Sequence, residues 1–156
     1  MPDPGNLPPA RRFRALYAAS DLVTAFAETV LRDAAVDRPD RYPLGLDELA
    51  DWDVAELRVD GLTAVDLTGP HLVAARIATD AVRAATQTEG QRLGLEIRED
   101  PRGFDAILYP SRLTGAENLM VFEAAIVAHL TLVSRAPLLE MPAFADVLED
   151  LGVVIA

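Results

Sequence analysis

The sequence predicts an α/β (α+β) fold: one compact domain with a small mixed sheet flanked by helices. Three observations carry this. The chain has 156 residues, within the ~100–200 expected of one domain, with no internal repeat or linker to divide it. Short runs with strand character recur at 15–19, 55–60, 64–67, 105–109, 119–122 and 128–132. Helical periodicity fills the stretches between them, but without the regular strand–helix alternation of a dinucleotide fold, and no Gly-x-Gly-x-x-Gly occurs. The expected organisation is an extended lead-in over 1–14 and a single domain over 15–156.

Each element has a local cause. Residues 1–10 hold four of the eleven prolines, and proline suits neither helix interiors nor central strands. The run at 15–19 is apolar and short, as a buried strand is. Ser20 or Asp21 can cap a helix over about 21–35 by accepting from its free N–H groups. At 100° per residue, Val23, Phe26, Ala27, Val30 and Ala34 share one side, and Glu28 falls nearly opposite their centre. Residues 36–53 read as loop, with one helical turn over 46–50. Period-two alternation marks a strand from Ala55 to Asp60. Helices are expected at 70–75 and 80–95, the first after the Gly69-Pro70 break. A last helix covers 144–151, started after Pro142.

Composition excludes several chemistries. No cysteine is present, which removes disulfides, thiolate nucleophiles and thiolate metal sites. Every basic residue is arginine, so neither a Schiff-base lysine nor a P-loop lysine exists. A net charge of −11 repels a phosphate backbone, and no basic stripe offsets it; direct nucleic-acid binding is not expected. No run reaches the 18 or so apolar residues of a membrane span, and the first residues lack the pattern of a signal peptide. The expected location is the cytoplasm.

Three residues are candidates for chemistry. Glu28 reads either as a solvated residue paired with Arg32 at i,i+4 or as a carboxylate beside a ribose. In the second case it would stabilise an oxocarbenium-like cation, as in glycoside hydrolysis. Tyr17 is either a core aromatic or a ring that stacks on a ligand. Ser111 follows a strand and a proline. It either bonds its own turn or contacts a ligand or positions Glu28. His71 and His129 lack metal-ligand spacing, and His129 sits in a strand pattern as a structural residue. The acidic pairs Glu99-Asp100 and Glu149-Asp150 read as surface charge. No metal is expected.

Tyr17-Ala18-Ala19, Thr24-Ala25-Phe26-Ala27-Glu28, Thr86-Gln87, Tyr109-Pro110-Ser111-Arg112 and Asn118 to Phe122 occur in an order that resembles the RES domain family. The resemblance covers most of the chain from Leu16 onward. It implies an ADP-ribosyltransferase-like fold, NAD as substrate, and cleavage or phosphorolysis of the nicotinamide–ribose bond. Glu28, Tyr17 and Ser111 would be the catalytic residues, and Arg12, Tyr17 and Ser111 would bind NAD. It also implies a toxin role, a cognate antitoxin of the Xre-like helix-turn-helix type, and a homo-oligomer. The sequence departs from the family at an arginine expected well upstream of the tyrosine strand. Only sixteen residues precede Tyr17, with Arg12 or Arg14 as the available substitutes. Two alternatives therefore stand beside NAD consumption: a catalytically weak RES scaffold that binds protein, and a protein ADP-ribosyltransferase.

Overall fold

The computed structural model describes residues 13–32, 43–69 and 87–155. In chain order its elements are β1 (Ala15–Ala19), α1 (Leu22–Phe26) continuing as a π-helical segment (Ala27–Leu31), β2 (Pro43–Leu44) and α2 (Leu46–Ala50). There follow β3 (Asp53–Val59), β4 (Ala64–Asp66), α3 (Gln87–Arg98), β5 (Ala106–Pro110) and β6 (Glu117–Phe122). The chain closes with α4 (Glu123–His129), β7 (Leu130–Pro137), a 3-10 turn (Leu138–Glu140), α5 (Phe144–Asp150) and β8 (Val154–Ile155). The expected lead-in over 1–10, Arg12, the helix at 70–75, the start of the helix at 80–95, His71 and Thr86 lie outside the described residues.

A four-stranded mixed sheet, ordered β1-β6-β5-β4, is the frame. β6 pairs antiparallel with both β1 and β5, and β4 runs parallel to β5. The middle strand β6 is apolar on both sides because both sides are covered. Met120 and Phe122 face Ile97 and Leu93 of α3 on one side, and Val121 meets Ala125 of α4 on the other. Gly94 lets α3 approach closely. A Cβ there would stand 3.2 Å from the Phe13 ring and 3.5 Å from the Met120 side chain. A third apolar cluster joins Phe26 and Leu31 to Leu49, Leu138, Phe144 and Val147, with the Phe26 and Phe144 rings edge to face at 5.9 Å.

Two expectations fail for identifiable reasons. The strand expected over 128–132 is a helix up to His129, and the strand begins only at Leu130. Ala128-His129-Leu130-Thr131-Leu132 alternates as a strand does, but its first two residues complete the last turn of a helix that begins at Glu123. His129 thus ends a helix, where its Nδ1 donates to the Asp60 carbonyl at 2.8 Å. The expected uniform helix over 21–35 changes to π spacing at Ala27.

Asp21 caps α1, accepting from the Thr24 N–H at 2.7 Å. That bond holds its carboxyl below the ordinary value of 3.8. Asp21→Ala is expected to cost about 0.5–2 kcal/mol by urea unfolding at neutral pH. Because the native carboxyl is the stronger acid, its contribution is complete above pH 3.8 and fades as pH falls through the native value. The gap between wild type and variant should therefore close in acid.

Candidate functional site

A hairpin, a helix and one strand edge converge at the Ala19 end of the sheet. In the β1-β6-β5 register, Ala19 lies opposite Asn118, and Asn118 opposite Tyr109. Tyr17 lies opposite Met120, one row further along. Since side chains alternate along a strand, Tyr17, Asn118 and Tyr109 share one face of the sheet. The loop joining β5 to β6 closes tightly: Ser111 N–H donates to the Ala116 carbonyl at 2.6 Å, and Gly115 N–H to the Ser111 carbonyl at 3.0 Å. Gly115 has φ +79°, a conformation that a side chain would strain.

Glu28 reaches this loop from the π-helical segment. Its Oε1 accepts from Ser111 Oγ at 2.7 Å and from Asn118 Nδ2 at 3.1 Å. Ser111 Oγ in turn accepts from the N–H groups of Leu113 at 3.1 Å and Thr114 at 3.2 Å. A serine hydroxyl has one proton and two lone pairs, so these contacts fill its capacity. Ser111 and Asn118 are each 4% exposed. One turn before Glu28, Thr24 Oγ1 shares a 2.8 Å hydrogen bond with Thr114 Oγ1. Helix and loop are thus tied at two points, with the carboxylate between sheet and solvent.

The candidates sort as follows. Glu28, Ser111 and Tyr17 come to the same end of the sheet. Ser111 bonds its own turn and also donates to Glu28. Glu28 turns to Ser111 and Asn118, so a purely solvated pairing with Arg32 does not describe it. Tyr17 is 67% exposed, which removes the core reading and leaves a ring face open. Arg14 lies at the far end of β1 beside Glu123, 3.9 Å away, and is not near Glu28. Arg12 is outside the described residues.

Sequence reading missed Asn118, Thr24 and Tyr109 as site residues. The phenol of Tyr109 is pushed up to about 12, first by burial and then by Tyr17 and Glu28, with Arg32 acting in the opposite sense. It therefore remains a neutral O–H donor at any physiological pH. Its pairing with Asn118 was available only through the hairpin register. Thr24, four residues before Glu28, was the one visible clue to a second helix–loop contact. Among the described residues, no cluster of His, Asp or Glu could hold a metal ion, and no helix is long and apolar enough to cross a membrane. Asp100 is taken by Arg102 through a bidentate pair at 2.8–2.9 Å.

Comparison with known proteins adds three findings. The family model described as RES domain matches residues 6–141. A relative described as "Probable toxin y4kH", from Sinorhizobium fredii (strain NBRC 101917 / NGR234), is 31% identical over 127 residues, covering 80% of this chain and 99% of the relative. A chain of the crystal structure of the M. tuberculosis MbcT–MbcA toxin–antitoxin complex superimposes with a TM-score of 0.55 at 16% identity, covering 86% of this chain and 70% of that one. The mixed α/β single-domain expectation is met by that likeness.

Proposed function

The chain belongs to the RES domain family, and on that premise we propose that it is the toxin of a toxin–antitoxin pair that consumes NAD by breaking the nicotinamide–ribose bond. One observation carries the reading: Glu28 is a carboxylate held by two buried donors on a single oxygen, at a face where an aromatic ring stands open. As the C–N bond breaks, its electron pair leaves with nicotinamide, and positive charge builds on the ribose. A carboxylate fixed in advance stabilises that charge without reorganising. Ser111 and Asn118 hold Oε1, and in this reading Oε2 meets the substrate, either at the ribose hydroxyls or beside the cation.

In this reading Tyr17 stacks on nicotinamide or ribose, and Ser111 is a positioning residue that acts through Glu28. Binding of the NAD pyrophosphate is assigned to an arginine, with Arg12 as the candidate. The acceptor is water, phosphate or a protein side chain. The cognate antitoxin, of Xre-like type, would silence the toxin by covering this face, and the work would be done in the cytoplasm.

The test is release of nicotinamide from NAD by the purified chain, followed by chromatography, together with NAD levels in cells expressing it. Absence of turnover and of NAD binding would sink the proposal. A further expectation separates positioning from contact. Ser111→Ala should lower kcat about tenfold to a hundredfold with little change in KM, since it disorients a transition-state group. A rise in KM at constant kcat would instead make Ser111 a binding group.

A further inference from the structure

Thr24, Glu28 and Arg32 are spaced four apart, so they form one row along the helix surface. The first two members show where the row points. Thr24 Oγ1 meets Thr114 Oγ1 at 2.8 Å, at the tip of the β5–β6 loop. Glu28 meets Ser111 and Asn118, at 2.7 and 3.1 Å, where that loop joins its strands. Each step along the helix is thus a step from the loop toward the sheet. The third step brings Arg32 to the level of Tyr109, which stands two positions before Ser111 and opposite Asn118.

The electrostatics of Tyr109 agree with that placement. Burial above all raises its phenol, Tyr17 and Glu28 raise it further, and Arg32 acts in the opposite sense, as a nearby cation does. One face of the sheet therefore gathers an open ring, a carboxylate and a guanidinium. Arg32 is exposed, at the C-cap of the π-helical segment. Its natural i,i+4 partner, Glu28, is turned to Ser111 and Asn118. Among the described residues no ion pair engages Arg32. A guanidinium stays protonated at any physiological pH and offers a planar fork of donors.

With Glu28 at the ribose, the next group along the substrate is the phosphate on the 5′ carbon. Its charge would stand close to the Glu28 carboxylate, on a chain of net charge −11. Both oppose its approach unless a cation lies near. Arg32 is one helical turn from Glu28, about 5 Å along the axis, a span like that between the ribose hydroxyls and the 5′-phosphate.

We propose that Arg32 receives the phosphate on the 5′ carbon of the reacting ribose. It thereby restricts the site to 5′-phosphorylated nicotinamide ribosides, NAD and the mononucleotide alike, and disfavours the unphosphorylated riboside. The inference rests on the NAD reading above and adds to it a substrate class and a second cation, distinct from Arg12. Arg32 does not touch the breaking bond. Its contact is the same in the ground state and the transition state, so its loss should appear in KM.

The experiment compares NAD, nicotinamide mononucleotide and nicotinamide riboside on the full chain. Arg32→Gln should raise KM for NAD and for the mononucleotide about tenfold to a hundredfold, with kcat within about twofold. Arg32→Lys should recover part of the loss, since the charge remains while the fork is gone. The riboside, as substrate or as competitor, should bind wild type and Arg32→Gln alike. The melting temperature should hold, because the side chain is exposed.

An unchanged KM for both phosphorylated substrates overturns the proposal. So does a riboside affinity that falls as far as that of the mononucleotide. A loss for NAD with none for the mononucleotide also overturns it, since the guanidinium would then meet the distal phosphate. Should the wild type release no nicotinamide from any of the three, the NAD reading fails by itself. Calorimetric titration with the mononucleotide still decides the contact: equal affinity for wild type and Arg32→Gln, or none for either, rejects it.

Discussion

Glu28→Gln should slow nicotinamide release about a hundredfold to a thousandfold while leaving the fold intact. Glutamine keeps the length of the side chain and a carbonyl oxygen that can still accept from Ser111 and Asn118, the two donors at 2.7 and 3.1 Å. What it removes is the negative charge, and it turns the substrate-facing oxygen into an N–H donor. Loss of one preoriented group that stabilises transition-state charge typically costs about 3–4 kcal/mol, or two to three decades in rate. The check is the initial rate of nicotinamide release at saturating NAD, beside the melting temperature. A variant with near-wild-type turnover would remove Glu28 from the chemistry. One that fails to fold would be read instead through Ser111→Ala, which perturbs the same carboxylate indirectly.

The sequence was most legible where a residue's role is set by its immediate neighbours. Asp21 was a candidate cap and is one. β1, β3, β4 and β5 were visible from short apolar or alternating runs, because burial of one or two sheet faces writes that pattern directly. α3 was visible in part, ending three residues beyond expectation at Arg98. Legibility failed where two distant segments decide the outcome. Glu28 lay opposite the apolar stripe of an ideal helix and therefore looked solvated. In the structure that helix has a second covered side, where Thr24 is buried and meets Thr114. A single-stripe reading cannot show a helix with two covered sides. The π spacing from Ala27 is likewise a tertiary outcome, and single π turns often occur at functional sites. Asn118 was hidden for a related reason. Its bond to Glu28 spans ninety positions and depends on the hairpin register. The end of α4 was misread because Ala128 and His129 fit the alternation of the strand that follows, and only the helix begun at Glu123 claims them.

Phe122→Ala is expected to destabilise the chain by about 3–5 kcal/mol, the range for removing a buried aromatic ring. Phe122 is buried on the middle strand of the sheet, within the cluster that holds Ile97, Ile107 and Met120. Its ring meets Phe13 edge to face at 5.5 Å and 74°, an arrangement worth about 0.5–1.5 kcal/mol beyond area burial. Strands on both sides of β6 and the Gly94 approach of α3 leave the site little freedom to collapse into the void. Chemical denaturation should show a lower midpoint with the slope retained. The same strand carries Asn118 at its other end, four residues away, so this substitution also tests how stability and activity are divided along β6. Phe122 touches neither Glu28 nor Tyr17 among the contacts described, and the hairpin loop is closed by its own bonds. Below its melting temperature the variant should therefore keep its turnover per folded molecule, with activity lost only as the folded fraction falls. A drop in kcat at temperatures where the variant is fully folded would instead mean that packing under β6 sets the position of Asn118, and through it that of the Glu28 carboxylate.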